Sequence, residues 1–343
     1  MKRNLLALAI GAAVLLPLTA QAAPTVYGRL NLSVDYVDVD ATGLEPAWVV
    51  NSNASRIGVK GNEKLSDDFT AVYKAEWQIN GDMAGGGDLG GRERYIGLKH
   101  SSLGTIRLGA IDSPLKTSED MVDAFNDHAV LDMANLGNAV AGVPAVANVS
   151  LSGQSRLNNS INYVSPKVLD VFGANITFVP GESAAPCSVP PNGNPGCGND
   201  LANGISAAFS YEDDNLYLSA ALDKEIAGKD LIRAVGRYKM DKLVFAGLYQ
   251  QGETVNAANS DETAFVFSAS YEMDKLTFRG ELLNNTVETG VATENQTDLI
   301  GVGVDYNFSQ NTKVYGNLAQ VKVDIAGTDT TNMLLGGGIE VRF

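Results

Sequence analysis

Two sets of charged side chains are the residues of this chain best suited to do chemistry. Three arginines, Arg29, Arg56 and Arg156, lie in stretches where polar and apolar residues alternate. Four acids lie close together in the segment EDMVDAFND (119–127). Cations and carboxylates that face each other across water create a field that orients dipolar solutes without binding them tightly. For each charge taken alone, an ordinary solvated position is the alternative.

Catalytic chemistry has little support in the sequence. Asp127 and His128 are adjacent, a pairing that acid–base catalysis could use, but no nucleophile with a matching motif accompanies them. The second histidine, His100, is distant along the chain. We therefore expect no enzymatic activity, no cofactor and no bound metal.

The N-terminus has the features of an export signal. Lys2 and Arg3 precede an uncharged apolar run that ends at Leu18, and the small-x-small sequence Ala-Gln-Ala follows at 20–22. The run is too short to span a bilayer as a helix, so residues 1–22 are expected to be a cleaved signal peptide. No linker divides the remainder, and residues 23–343 are expected to form a single domain.

Export also bears on the two cysteines, Cys187 and Cys197, which lie in a loop rich in Pro, Gly and Asn. In an oxidising compartment a disulfide between them is favoured, with a metal site as the weaker alternative because neither histidine is near.

The chain has 40 acidic residues against 25 Lys and Arg. This acidity excludes an electrostatic nucleic-acid partner.

Strict alternation of polar and apolar residues predicts β-strands with one face in contact with water and the other apolar. The pattern begins at 26–36 and continues to the C-terminus, where Phe343 ends an alternating segment. Sixteen strands are predicted, at 24–37, 51–61, 69–80, 92–100, 103–111, 156–164, 170–180, 204–212, 214–222, 229–240, 241–251, 262–273, 275–286, 296–308, 311–323 and 331–343.

The connections decide between a soluble sandwich, which also shows alternation, and a transmembrane barrel. Short turns such as 240–242 and 273–275 alternate with longer polar stretches such as 112–155, 181–203, 223–228 and 324–330. A membrane barrel needs tight turns at one end and longer loops at the other. Its first and last strands must also pair, because an open sheet edge is costly in hydrocarbon.

Five stretches of the chain resemble the Gram-negative general-diffusion porins of the trimeric, proteobacterial kind. They are VYGRLNLSVDY (26–36), SRIGVKGNEKL (55–65), GRERYIGLKHSSLGTIRLGAIDSP (91–114), RLNNSINYVSP (156–166) and GGGIEVRF (336–343). The resemblance implies an all-β fold: a 16-stranded antiparallel transmembrane β-barrel whose long third loop, 112–155, folds into the lumen.

The resemblance also implies which residues form the pore constriction. The basic wall would be Arg29, Arg56, Arg92 and Arg156, and the acidic loop would supply Asp120 and Asp123. Secondary pore-lining candidates are Arg94, Glu119 and Asp127. The sequence departs from the family pattern at Ala124, where a second acid is usual, and alternation leaves the register of 92–100 open.

The function implied is passive diffusion of small hydrophilic solutes and ions through a water-filled pore in the cell outer membrane. The expected partners are two further copies in a homotrimer, lipopolysaccharide and outer-membrane lipid, and the barrel-assembly machinery. A substrate-selective channel for a sugar or an anionic nutrient is the main alternative, followed by an outer-membrane enzyme or an adhesin. The net acidity and the number of acids in 112–155 favour cations, whereas an arginine-rich constriction favours anions.

Overall fold

The computed structural model describes residues 23–39, 45–83, 89–133, 136, 150–182, 199–255, 260–289 and 293–343. The expected signal peptide, 1–22, and both cysteines lie outside the described residues. Within the described ranges no helix is long and apolar enough to cross a bilayer.

The described residues form one antiparallel sheet of seventeen strands and a single helical turn, α1 (Pro114–Thr117), capped by Ser113. The strands are β1 Thr25–Val39, β2 Ala47–Ser52, β3 Arg56–Lys64, β4 Phe69–Gln78, β5 Gly90–His100, β6 Gly104–Asp112, β7 Arg156–Val164, β8 Phe172–Val179, β9 Gly204–Glu212, β10 Leu216–Ile226, β11 Lys229–Met240, β12 Leu243–Thr254, β13 Ser260–Met273, β14 Leu276–Thr289, β15 Thr293–Asn307, β16 Thr312–Ile325 and β17 Thr328–Arg342.

The sheet closes on itself because β17 pairs with β1 along its length, and the C-terminal Phe343 exchanges backbone hydrogen bonds with Gly28. β2 and β3 both pair with β1, one after the other, and so occupy a single position in the wall. The barrel therefore has sixteen wall positions. The predicted 16-stranded antiparallel fold is confirmed.

Two connections predicted as longer loops are tight hairpins. Ile226 pairs with Lys229, and the residues between them, Ala227 and Gly228, have φ of 52° and 71°. The turn between Ile325 and Thr328 is built in the same way. Two consecutive positive φ values suit the twist of a two-residue hairpin, so the strands extend into 223–228 and 324–330.

The two faces of the wall differ in their surroundings. Large apolar side chains are exposed around the outside of the barrel, as a wall in contact with hydrocarbon requires. Examples come from both ends of the chain: Val26, Leu30, Val34, Phe265, Phe267, Leu282, Ile300, Val302, Leu335 and Ile339.

Part of the barrel interior is apolar and closely packed. Loop residues Val122, Phe125, Leu131 and Met133 are buried in one cluster with inward-facing residues of β11–β17. The wall side of this cluster comprises Val37 of β1 together with Val235, Ala246, Leu248, Ala264, Val266, Leu283, Leu299, Ala319, Val321, Val323 and Leu334. The loop thus fills the side of the lumen next to the later strands and leaves a water-accessible space beside β1–β7. This confirms that the third loop folds into the lumen.

Candidate pore constriction

Hydrogen bonds to successive strands guide the loop around the inner wall. Its start is fixed where the backbone N–H of Leu115 donates to Ser206 Oγ on β9 (3.2 Å). Farther along, the N–H of Ala124 donates to the Glu281 carboxylate on β14 (2.6 Å), and Ser268 Oγ on β13 donates to the Val122 carbonyl. These contacts carry the acidic segment 119–127 across the lumen towards β1.

The loop acid that meets the arginines is Asp127. Its Oδ2 lies 2.9 Å from Arg29 Nη2 and 2.8 Å from Arg56 Nη2, so one carboxylate is shared by two guanidinium groups. Burial alone raises the pKa of Asp127, but nearby Arg29, Arg56 and Arg92 outweigh it and hold the pKa below its usual value. Asp127 is therefore ionised at neutral pH.

Asp123, predicted as a principal acid, does not line the pore. Its side chain is turned into the loop, where Oδ1 accepts from the Phe125 N–H (2.7 Å) and Oδ2 accepts from the Met133 N–H (3.1 Å). A loop confined within a barrel has few other partners for its amides, which explains this role. Asp127, a secondary candidate in the sequence, occupies the place expected for Asp123.

A break in the wall strand aims Arg56 inward. Arg29 pairs with Arg56 and Leu32 pairs with Ser52, so three residues, 53–55, stand opposite two of β1. Ala54 has a φ of 47°, which identifies this insertion as a β-bulge. Because one extra residue reverses the alternation, Arg56 faces the lumen on the same side as Arg29.

A second β-bulge explains why alternation alone did not decide which residues of 92–100 face the lumen. Ala75 pairs with Arg94 and Trp77 pairs with Gly91, so Glu76 alone stands opposite Arg92 and Glu93. Both of these residues line the lumen. Arg92 Nε lies 2.6 Å from Glu76 Oε1.

Arg94, a secondary pore candidate, lies on the other face of β5. It has the same parity as the exposed Ile96 and Leu98, and it pairs with Ala110 of β6. The prediction that Arg94 lines the pore is therefore wrong. The bulge at Glu76 is the cause, since it lets Arg92 and Arg94 point in different directions although they are two residues apart.

Arg156 lies beside a third irregularity of the strand pairing, where Ala110 of β6 stands opposite both Asn158 and Asn159 of β7. Its Nε lies 2.9 Å from Asp112 Oδ1 at the mouth of the loop. Its neighbour Leu157, which simple alternation places on the lipid face, is buried against Val179 and Ile226.

Several pore-lining charges were missed by the sequence prediction. Lys74 Nζ lies 2.6 Å from Glu93 Oε2, Tyr27 Oη donates to Glu76 Oε2 (2.8 Å), and Lys116 approaches Asp112. Lys74 and Glu76 alternate with Tyr73, Ala75 and Trp77 along β4, and this pattern alone was sufficient to place them in the lumen.

The charged groups surround a water-accessible space of about 1180 Å³. Among the described residues its lining includes seven cations, Arg29, Arg56, Lys74, Arg92, Lys116, Arg156 and Arg342, and eight acids, Glu76, Asp82, Glu93, Asp112, Glu119, Asp120, Asp127 and Asp132. The mixed charge is consistent with a water-filled passage.

Asp120 and Glu119 have different surroundings, although they are adjacent. Asp120 is exposed to the lumen and forms no ion pair within the part of the chain that the structure describes. Its position inside the barrel removes part of the hydration of the carboxylate, which raises its pKa to about 6; Lys116 opposes that rise, while Asp112 and Asp127 add to it. Glu119 is instead almost fully buried and paired with Arg233 of β11.

The comparisons with known proteins agree with this geometry. The model of the family described as Gram-negative porin matches residues 7–326. The major outer membrane protein P.IB of Neisseria lactamica is 26% identical over 91% of both chains. The outer membrane porin protein 32 of Delftia acidovorans is 26% identical over 96% of this chain and 92% of its own.

Solved structures show the same fold. The anion-selective porin from Comamonas acidovorans aligns with a TM-score of 0.71 at 19% identity, covering 94% of this chain and 99% of its own. Salmonella typhi OmpF in complex with daunomycin aligns with a TM-score of 0.67 at 16% identity, covering 93% and 97%. The chain belongs to the Gram-negative porin family, and it is an outer-membrane β-barrel through which small hydrophilic solutes and ions diffuse passively.

Proposed function

We propose that solute passage and ion preference are governed where Arg29, Arg56 and Arg92 of the wall meet Asp127 of the loop. The observation that carries this proposal is the shared carboxylate, because a loop acid in contact with two wall arginines marks where loop and wall come together. Arg156 and Asp120 extend the charged lining beside this point. A transverse field of this kind orients dipolar solutes and leaves them free to move on.

Weak ion selectivity is the expectation that follows. The cations and acids around the lumen are nearly equal in number, and most of them are paired. Exposed charges farther away count for little, since screening acts within about 10 Å at 0.1 M salt. The charge at the narrowest point therefore outweighs the net charge of the chain.

An anion-preferring pore is the second candidate, and one specific observation favours it. Asp127 contacts both Arg29 and Arg56. Asp112 likewise contacts both Arg156 and Lys116, so each of these two acids meets two cations. Glu340 also lies 3.6 Å from Arg29. A structural relative is described as an anion-selective porin, which supports the same direction.

The deciding experiment is the reversal potential of the purified protein in a planar bilayer under a KCl gradient, for wild type and Asp127→Asn. A potential near zero that moves towards the anion side in Asp127→Asn supports the proposed constriction. A strong wild-type anion preference selects the second candidate. An unchanged potential in Asp127→Asn would place the selectivity elsewhere.

The remaining parts of the proposal concern assembly. Export would remove residues 1–22, and residues 23–343 would fold as a single passive barrel with a disulfide between Cys187 and Cys197, without enzymatic activity. A homotrimer in contact with lipopolysaccharide, inserted by the barrel-assembly machinery, suits the exposed apolar belt; a solved relative, OmpT of Vibrio cholerae, is described in a trimer form. The mass of the mature chain and its oligomer in detergent test these points.

A further inference from the structure

Asn53 is a fully buried wall residue that uses all its hydrogen-bonding groups at one junction. Its Oδ1 accepts from the Ala129 N–H of the loop (2.8 Å), and its Nδ2 donates to Ser33 Oγ on β1 and Tyr315 Oη on β16, both at 2.9 Å. Its backbone N–H donates to the Asn31 carbonyl (2.8 Å). A single side chain therefore joins β1, β16 and the loop.

The backbone of Asn53 also holds a constriction arginine. Arg29 Nη2 donates to the Asn53 carbonyl (3.0 Å) and approaches the Ala54 carbonyl (3.3 Å). These carbonyls point into the lumen because of the bulge, where Ala54 has a φ of 47°. Arg29 is thus fixed by the wall independently of its ion pair with Asp127.

The two attachments act on opposite members of one ion pair. The carbonyl of Asn53 orients Arg29, and its side chain holds Ala129, which follows Asp127 by two residues in the loop. We propose that Asn53 is a positioning residue that sets the ion selectivity of the pore by fixing the distance between Asp127 and Arg29. This inference rests on the proposed constriction. It assigns to that constriction a determinant of ion selectivity, Asn53, whose side chain does not face the solute.

The physical reason is the steep dependence of the local field on charge separation. Without the Asn53 side chain, Ala129 N–H, Ser33 Oγ and Tyr315 Oη would each lose a buried partner, so the turn would relax towards water. Asp127 would then move away from Arg29 and Arg56 and neutralise them less. Removal of the Asn53 amide should therefore act in the same direction as removal of the Asp127 charge, towards anions.

The test uses Asn53→Ala, Asp127→Asn, their double variant and a matched control, Asn162→Ala. Asn162 is also a fully buried asparagine of the wall, but its side chain bonds with wall neighbours such as Arg107, Asn175 and Thr177 and forms no hydrogen bond with a described residue of the loop. Reversal potential and single-channel conductance are measured for each full-length, folded protein. Asn53→Ser replaces Asn53→Ala if the alanine variant fails to fold.

The expected result is a shift towards anions in Asn53→Ala, no shift in Asn162→Ala, and a double variant equal to Asp127→Asn alone. An unchanged potential in Asn53→Ala overturns the inference, as does an equal shift in Asn162→Ala or additive shifts in the double variant. If Asp127→Asn itself has no effect, the proposed constriction fails, which is a distinguishable outcome.

Discussion

Arg233 and Glu119 form an almost fully buried ion pair, with 0% and 5% of the two side chains exposed. The same guanidinium donates to the Leu115 carbonyl (3.0 Å) and to the Ser152 carbonyl (2.9 Å). The first and last parts of the loop are therefore held by one arginine of β11. The loop is fixed at its base as well as where Asp127 meets the arginines of the wall.

Removal of Arg233 should destabilise the folded barrel strongly. Arg233→Met leaves Glu119 buried without its cationic partner, a change that typically costs about 3–5 kcal/mol. The free energy of unfolding in guanidinium, measured in detergent, should fall by that order. Arg233→Met/Glu119→Gln should recover part of the loss, since no unpaired charge remains.

Arg237→Met is the matched control for this change. Arg237 lies four residues farther along β11, is half-buried, and has no ion pair with any described residue. An equal loss of stability in both variants would contradict the role assigned to the buried pair.

Ion selectivity should depend on pH between about 5 and 7. Asp120 has a pKa raised to about 6, so it is charged above that pH and neutral below it. Loss of this negative charge on acidification should move the reversal potential towards anions. Asp120→Asn should abolish the shift, whereas Asp82→Asn, which removes another lining acid, should retain it.

Arg92 and Arg94 should differ sharply although they are two residues apart. Arg92→Leu leaves the Glu76 carboxylate without its 2.6 Å partner in the lumen and should shift selectivity towards cations. Arg94→Leu removes a charge from the outer face and should leave conductance and reversal potential unchanged. Matching effects from the two substitutions would show that the bulge does not separate their directions.

Gly301 should tolerate no larger side chain, because the loop packs directly on it. A Cβ at this position would lie 2.6 Å from Cε2 of Phe125. Gly301→Ala should destabilise the barrel by about 1–3 kcal/mol through overpacking and alter single-channel conductance. Gly280→Ala on the neighbouring strand is the control, since its nearest contact would be an ordinary 3.6 Å.

The sequence predicted those features that depend on periodicity. Alternation and turn spacing gave the number of wall positions, the closure through Phe343, and the inward direction of Arg29. The lumen loop and the porin function came from the resemblance, which the family match confirms.

Features that depend on a single inserted residue could not be predicted. A bulge reverses the two-residue period without a distinctive local sequence, which is why Arg94 was expected in the lumen and why simple alternation places Leu157 on the lipid face. The choice between Asp123 and Asp127 depends on which backbone amides the folded loop leaves unpaired. That is a tertiary property and has no signal in EDMVDAFND.

Because the loop packs against apolar residues of β11–β17, the size of the aperture is not set by the number of strands alone. A wall of sixteen strands fixes the circumference, while the bulk of residues such as Phe125 and Leu131 decides how much of the cross-section remains open. Substitutions in one segment can therefore widen or narrow the passage with no change in hydrogen-bond register. Exported barrels of one architecture can in this way serve environments that offer very different nutrients.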